Sequence, residues 1–232
     1  MLITCWSVKG GAGVSVVSAA LGGLMAQRHG RAVVVDLGGD QPAALGMSEP
    51  AGPGILDWCD SAAPGEALAR LAVDVTSDLL LVPKGEGSAQ VGADRGAALV
   101  QACTALGEVV VVDAGTPLLS THDLAVSEPG LDGHGRTRHP AVHLREAGSS
   151  LFVTTGCYMA LRRAMSLGVT ADGVVFVREP GRSVGRRDIA DILGLPVVGV
   201  VESDPAVRRA IDSGSLARRV PPTLATGLRR AH

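Results

Sequence analysis

Seven short runs of apolar residues punctuate the chain: "LITCWSV" (2–8), "AVVVD" (32–36), "DLLLVP" (78–83), "EVVVVD" (108–113), "SLFVTT" (150–155), "GVVFV" (173–177) and "PVVGVV" (196–201). None of them alternates apolar with polar positions. A strand with one wet face would alternate, so these runs predict strands covered on both faces. Between them the pattern predicts helices over 14–29, 87–106, 158–167, 184–193 and 205–212. Strand and helix in alternation predict an α/β fold, a doubly wound and mostly parallel sheet of about seven strands with helices on both faces. A single domain over 1–232 accommodates all of it. Two stretches break the rhythm. Residues 118–148 include the polar "THDLAVSEPGLDGHGRTRHPAVHLREAG" (121–148) and predict a mobile excursion with a helical piece at each end. Residues 222–232, "PTLATGLRRAH", predict a flexible tail with almost no apolar face.

The first run feeds "KGGAGVS" (9–15) and then a helix. Gly10, Gly11 and Gly13 let the backbone take positive φ and come close to an anion. Amides at the following helix N-terminus then point at that anion, and the helix dipole adds to the attraction. Ser15 sits where a phosphate-loop hydroxyl holds Mg²⁺. The usual pattern, G-x-x-x-x-G-K-[ST], is broken twice: Val14 occupies the lysine position and Val8 the first glycine position.

Composition sharpens this picture. At 46% hydrophobic and 19% charged, the chain can bury a large core, which excludes disorder along its whole length. Among 21 basic residues only Lys9 and Lys84 are lysines, so each asks for a reason. The net charge of −2 hides an asymmetry: residues 151–232 carry 12 arginines against 7 acidic side chains. Cys5, Cys59, Cys103 and Cys157 are widely spaced and predict reduced thiols. The N-terminal apolar run is too short to cross a bilayer, and the expected compartment is the cytoplasm. His134, His139 and His143 lack the tight spacing of a metal site and predict surface positions.

"VKGGAGVS" (8–15) resembles the deviant Walker A loop of the MinD/ParA family, K-G-G-x-G-K-[ST]. "RAVVVDLGGDQPAALG" (31–46) is similar to the second strand and switch I of that family. "VVVVDAGTP" (109–117) is similar to its Walker B strand and switch II. The stretch 151–214 is similar to the C-terminal half of an atypical branch that includes CpaE/TadZ proteins. The resemblance implies ATP and Mg²⁺ as cofactors and a homodimer in which Lys9 reaches the partner's phosphates. It implies a cofactor loop of Lys9, Gly10, Gly11, Ala12, Gly13, Val14, Ser15 and Val16, with Arg178 at the position that contacts the base, often Asn in the family. It implies metal-holding roles for Ser15, Asp36 and Asp113, and catalytic roles for Lys9, Asp36, Asp113 and, by substitution, Asp40. The departures matter for chemistry. Val14 removes a phosphate-contacting charge, and Gly38 stands where the second switch I acid positions water. Losing one such group costs about 10²–10³ in rate.

The resemblance also implies non-specific DNA binding through basic residues of this half. Here Arg162/Arg163, Arg186/Arg187, Arg208/Arg209, Arg218/Arg219 and Arg229/Arg230 are the candidates, with ordinary solvated helix faces as the simpler reading. The short C-terminal segment predicts no direct membrane anchor. The expectation is a spatial organiser with partner proteins, whose ATP binding is weak or lost and whose hydrolysis is impaired. The alternative is a slow, active ParA-like ATPase that dimerises on ATP and binds DNA.

Overall fold

Buried β-branched runs form the strands, as the absence of alternation predicts. The structure, a computed structural model, describes residues 1–117 and 137–231. Eight strands form one sheet: β1 (Leu2–Trp6), β2 (Ala32–Asp36), β3 (Val73–Asp74), β4 (Leu79–Val82), β5 (Val110–Asp113), β6 (Ser149–Thr155), β7 (Gly173–Arg178) and β8 (Val197–Glu202). Their spatial order is β3-β4-β2-β5-β1-β6-β7-β8. Every pairing is parallel except that of β3 with β4. The eighth strand, β3, goes beyond the seven expected; at two residues it is too short to leave a periodic signature.

Among the described residues the helices are α1 (Val14–His29), α2 (Gln41–Ala44), α3 (Ile55–Asp60), α4 (Glu66–Ala69), α5 (Ala93–Ala105), α6 (Pro140–Ala147), α7 (Tyr158–Leu167), α8 (Arg186–Leu193), α9 (Pro205–Asp212) and α10 (Pro222–Gly227). They cover both faces. Along β1 the pleat turns Leu2 and Trp6 to one face and Ile3 and Cys5 to the other. The first face packs on α3 to α8 through Ile55, Leu68, Leu99, Leu144, Leu161 and Ile189. The second packs on α1, α2, α9 and α10 through Leu21, Met25, Ala44, Val207 and Leu224. Helix α1 presses so close to β2 that a Cβ at Gly22 would lie 2.4 Å from Val34 Cγ2.

Three expectations change in detail. The helix expected from residue 87 starts at Ala93, because extended Gly92 precedes it and Val91 bridges to Arg138. In the 118–148 excursion, α6 supplies the helical piece at the C-terminal end; residues 118–136, with His134, lie outside the described residues. The expected tail at 222–232 is instead helical over Pro222–Gly227, and Leu224, Leu228 and Ala231 are buried against the second face. Leu224, Leu228 and Ala231, spaced by four and then three, supply that packing. All four cysteines are free thiols.

Leu228 is fully buried, so Leu228→Ala should cost about 2–4 kcal/mol in chemical denaturation. A loose tail would leave the stability unchanged.

Candidate functional site

At the carboxyl edge of the sheet three strand ends meet. Parallel register sets Asp113 beside both Cys5 of β1 and Asp36 of β2. Beyond β1 the chain turns through residues 7–13. Ser7 N donates to Gly115 O at 2.9 Å, and Ala114 N donates to Cys5 O at 2.9 Å, so the glycine-rich loop and the loop after β5 are tied together. Gly11 and Gly13 have φ of 77° and 89°, a region that side chains disfavour. Gly13 is the N-cap of α1 and offers no side-chain cap, which leaves the helix's first amides open. A Cβ at Gly10 would meet nothing within 4 Å, and its φ is not positive. Neither packing within the chain nor backbone strain therefore requires glycine there; close approach of a ligand would.

A cavity of about 590 Å³ opens above this loop. Its walls include the whole loop from Lys9 to Val16, together with Gly38, Asp40, Lys84 and Gly115. A second cavity, of about 660 Å³, adjoins it and shares Gly13, Val16 and Ile211. Arg178, Glu202, Asp204 and Val207 help to line the second one. Arg178 ends β7 and pairs with Glu202 at 3.3 Å, both side chains being more than half exposed.

Beneath the first cavity lie two fully buried carboxylates. Asp36 accepts Gly39 N at 2.7 Å and Gln41 N at 3.1 Å, so it holds the turn that opens α2. Burial pushes its carboxyl up to about 6, against the pull of those amides and with a further push from Asp113. Asp113 accepts Gly115 N at 2.9 Å and Gln41 Nε2 at 2.7 Å, and it also meets the Ser15 side chain. Burial raises it too, against those three hydrogen bonds. Asp40, by contrast, is exposed in the cavity wall. At Gly38 a Cβ would sit 3.4 Å from Asp113 Oδ1, so an acid restored there would press on an existing carboxylate.

Sequence reasoning missed Gln41. Its Nε2 donates both to Asp113 and to Ser15 O, at 2.9 Å, and so ties switch I to the start of α1. Its Oε1 is buried without a hydrogen-bond partner among the described residues. A buried orphan acceptor costs free energy unless something outside the chain satisfies it. Ser15, Asp113 and this oxygen make a hard-oxygen donor set that suits Mg²⁺ and its waters. The signal in the sequence was only a polar residue before Pro42, and nothing local singles it out.

Lys9 is exposed, and its Nζ lies 3.8 Å from Cys157 Sγ at the N-cap of α7. Amides of Ala160 and Met159 lower the Cys157 thiol, with Lys9 and Arg182 adding to the effect. All ten residues of the arginine pairs are exposed, and none forms a salt bridge among the described residues. Among the described residues no group of three or more His, Cys, Asp and Glu side chains is placed to hold a metal ion. No described helix is long and apolar enough to cross a membrane.

Fold and loop together define the P-loop NTPase class. Residues 3–217 match the family model described as the CobQ/CobB/MinD/ParA nucleotide binding domain, and the chain belongs to that family. Among solved structures it is similar to a ParA family ATPase from Chlorobium tepidum, at 18% identity and TM-score 0.73 over 98% of this chain and 95% of that one. It is also similar to the cell division ATPase MinD of Pyrococcus furiosus, at 20% and 0.67 over 100% and 99%. A third is the septum site-determining protein MinD of Pyrococcus horikoshii complexed with Mg-ADP, at 17% and 0.65 over 98% and 92%. No curated protein matches the chain by sequence.

The raised Asp36 carboxyl gives a pH signature for the protein without nucleotide or metal. The folded state holds this proton more tightly than the unfolded one, so the contribution is present below pH 4 and is lost as pH rises through 6. A shift from 3.8 to about 6 is worth about 2–3 kcal/mol. Denaturation of wild type and Asp36→Asn should show the variant gaining about that much relative stability between pH 4 and pH 7. A constant difference would contradict the assignment.

Proposed function

We propose that this chain is a nucleotide-responsive spatial organiser of the MinD/ParA kind, in the atypical CpaE/TadZ-like branch, with an attenuated ATP site. One observation carries the reading: an open phosphate-loop cavity over Ser15, Gln41 and Asp113, with Val14 and Gly38 where two charged groups are expected. Loop amides from Gly10 to Ser15 hold the phosphates. Ser15 and Asp113 hold Mg²⁺, which neutralises phosphate charge when bound, and Gln41 fixes both. Asp36 positions the α2 turn, and Asp40 is the exposed acid left to orient water. Arg178 borders the adjoining cavity, where the base would lie. Lys9, exposed at the loop's outer edge, contacts the phosphates of a second copy in a homodimer. The Mg-ADP of the Pyrococcus horikoshii relative supports the cofactor choice. Nucleotide occupancy then governs association with partner proteins, and turnover is slow.

Phosphoryl transfer depends on positioning and electrostatics, so two lost groups should not be repaired singly. Val14→Lys should leave phosphate release near the wild-type rate, because the acid absent at residue 38 is only partly replaced by the exposed Asp40. A rise of about 10²-fold would instead support the slow active ATPase.

The ten exposed arginines, none in a salt bridge among the described residues, favour a second reading, in which the same chain also rests on DNA. Arg208→Glu with Arg209→Glu should then weaken binding to duplex DNA in a mobility-shift titration, and added salt should weaken wild type steeply. Equal binding by the variant would remove this reading.

A further inference from the structure

We propose that Lys84 is the phosphate-contacting cation of this site and takes over the charge that Val14 does not supply. The inference rests on the nucleotide reading above. Lys84 lies two residues beyond β4, and β4 pairs with β2, so the carboxyl edge carries it to the switch I turn. Its backbone is pinned: Ile55 N donates to Pro83 O at 2.8 Å and Leu56 N to Lys84 O at 2.9 Å, both from the first turn of α3. The side chain crosses the turn at Gly39, where a Cβ would lie 3.3 Å from Lys84 Cδ. Its Nζ donates to Gly38 O at 3.3 Å and lines the cavity that the glycine-rich loop encloses.

An ammonium carries three donors. Among the described residues this one makes a single long bond to a carbonyl and no salt bridge, although Asp40 shares the cavity wall. A half-buried lysine beside a loop built for anions, held by its backbone and spared a carboxylate partner, is arranged for a ligand's negative charge. The other lysine, Lys9, also borders this cavity, but its Nζ is turned to Cys157 Sγ, 3.8 Å away at the start of α7. The flexible stem lets a lysine leave the Gly38 carbonyl for a phosphate oxygen without moving the backbone.

The test is titration calorimetry of Mg·ATP into wild type, Lys84→Met, Lys84→Arg and Lys84→Met combined with Val14→Lys, with thermal midpoints measured alongside. Lys84→Met should weaken ATP at least tenfold with an unchanged midpoint. Lys84→Arg should retain most of the affinity. Val14→Lys should restore binding to the Met variant, because it returns a cation to the same cavity; a role confined to bracing the Gly38 turn gives no such rescue. Undiminished affinity in Lys84→Met overturns the inference and leaves the nucleotide reading standing. A loss that follows a lowered midpoint and is not rescued overturns it as well. Failure of wild type to bind at all overturns the nucleotide reading and this inference with it.

Discussion

The carboxyl edge of this molecule is organised around one buried carboxylate. Asp113 ends the strand that sits between β1 and β2, so the two loops that must face each other are both anchored beside it. It takes hydrogen bonds from Gln41, from Gly115 and from the Ser15 side chain. Those partners belong to switch I, switch II and the first turn of α1. A charge taken out of water must be paired or hydrogen-bonded, and here that requirement draws three separate segments together. A metal ion at this point would relieve the same cost, because hard cations prefer deprotonated oxygen ligands.

The departures at residues 14 and 38 acquire a physical setting from this arrangement. Val14 is buried at the start of α1 and packs into the second face of the sheet, so the helix gains apolar contact where a charge is missing. Gly38 passes over Asp113 and Gly115 at near-contact distance. A bulkier, charged residue there would raise further a carboxylate already pushed up by burial. On the proposed reading binding and hydrolysis separate: backbone amides, hard oxygens and Lys84 hold a nucleotide, while turnover needs further charges placed at the reacting atoms.

Much of the fold could be read from the sequence, because doubly covered strands leave an unbroken apolar run. All seven runs match their strands to within two residues at either end, and α1, α7 and α9 match their predicted spans. β3 escaped because two residues, one half-exposed and one exposed, carry no period. The packed C-terminus escaped because Leu224 and Leu228 are the only large apolar residues in a segment otherwise of Ala, Gly, Pro, Thr, Arg and His. In the site, the loop residues and Asp113 were legible because their geometry is local: strand, glycines, helix. Gln41 and Lys84 were not, since their partners lie 72 and 46 residues away and only the register of β2 with β4 and β5 brings them in.

The most direct measurement is the heat of Mg·ATP binding to the wild-type protein at neutral pH, taken with and without Mg²⁺. The account predicts saturable binding that needs the metal. No binding up to millimolar nucleotide would contradict it, and the glycine-rich loop would then be a feature of the fold without a phosphate to hold.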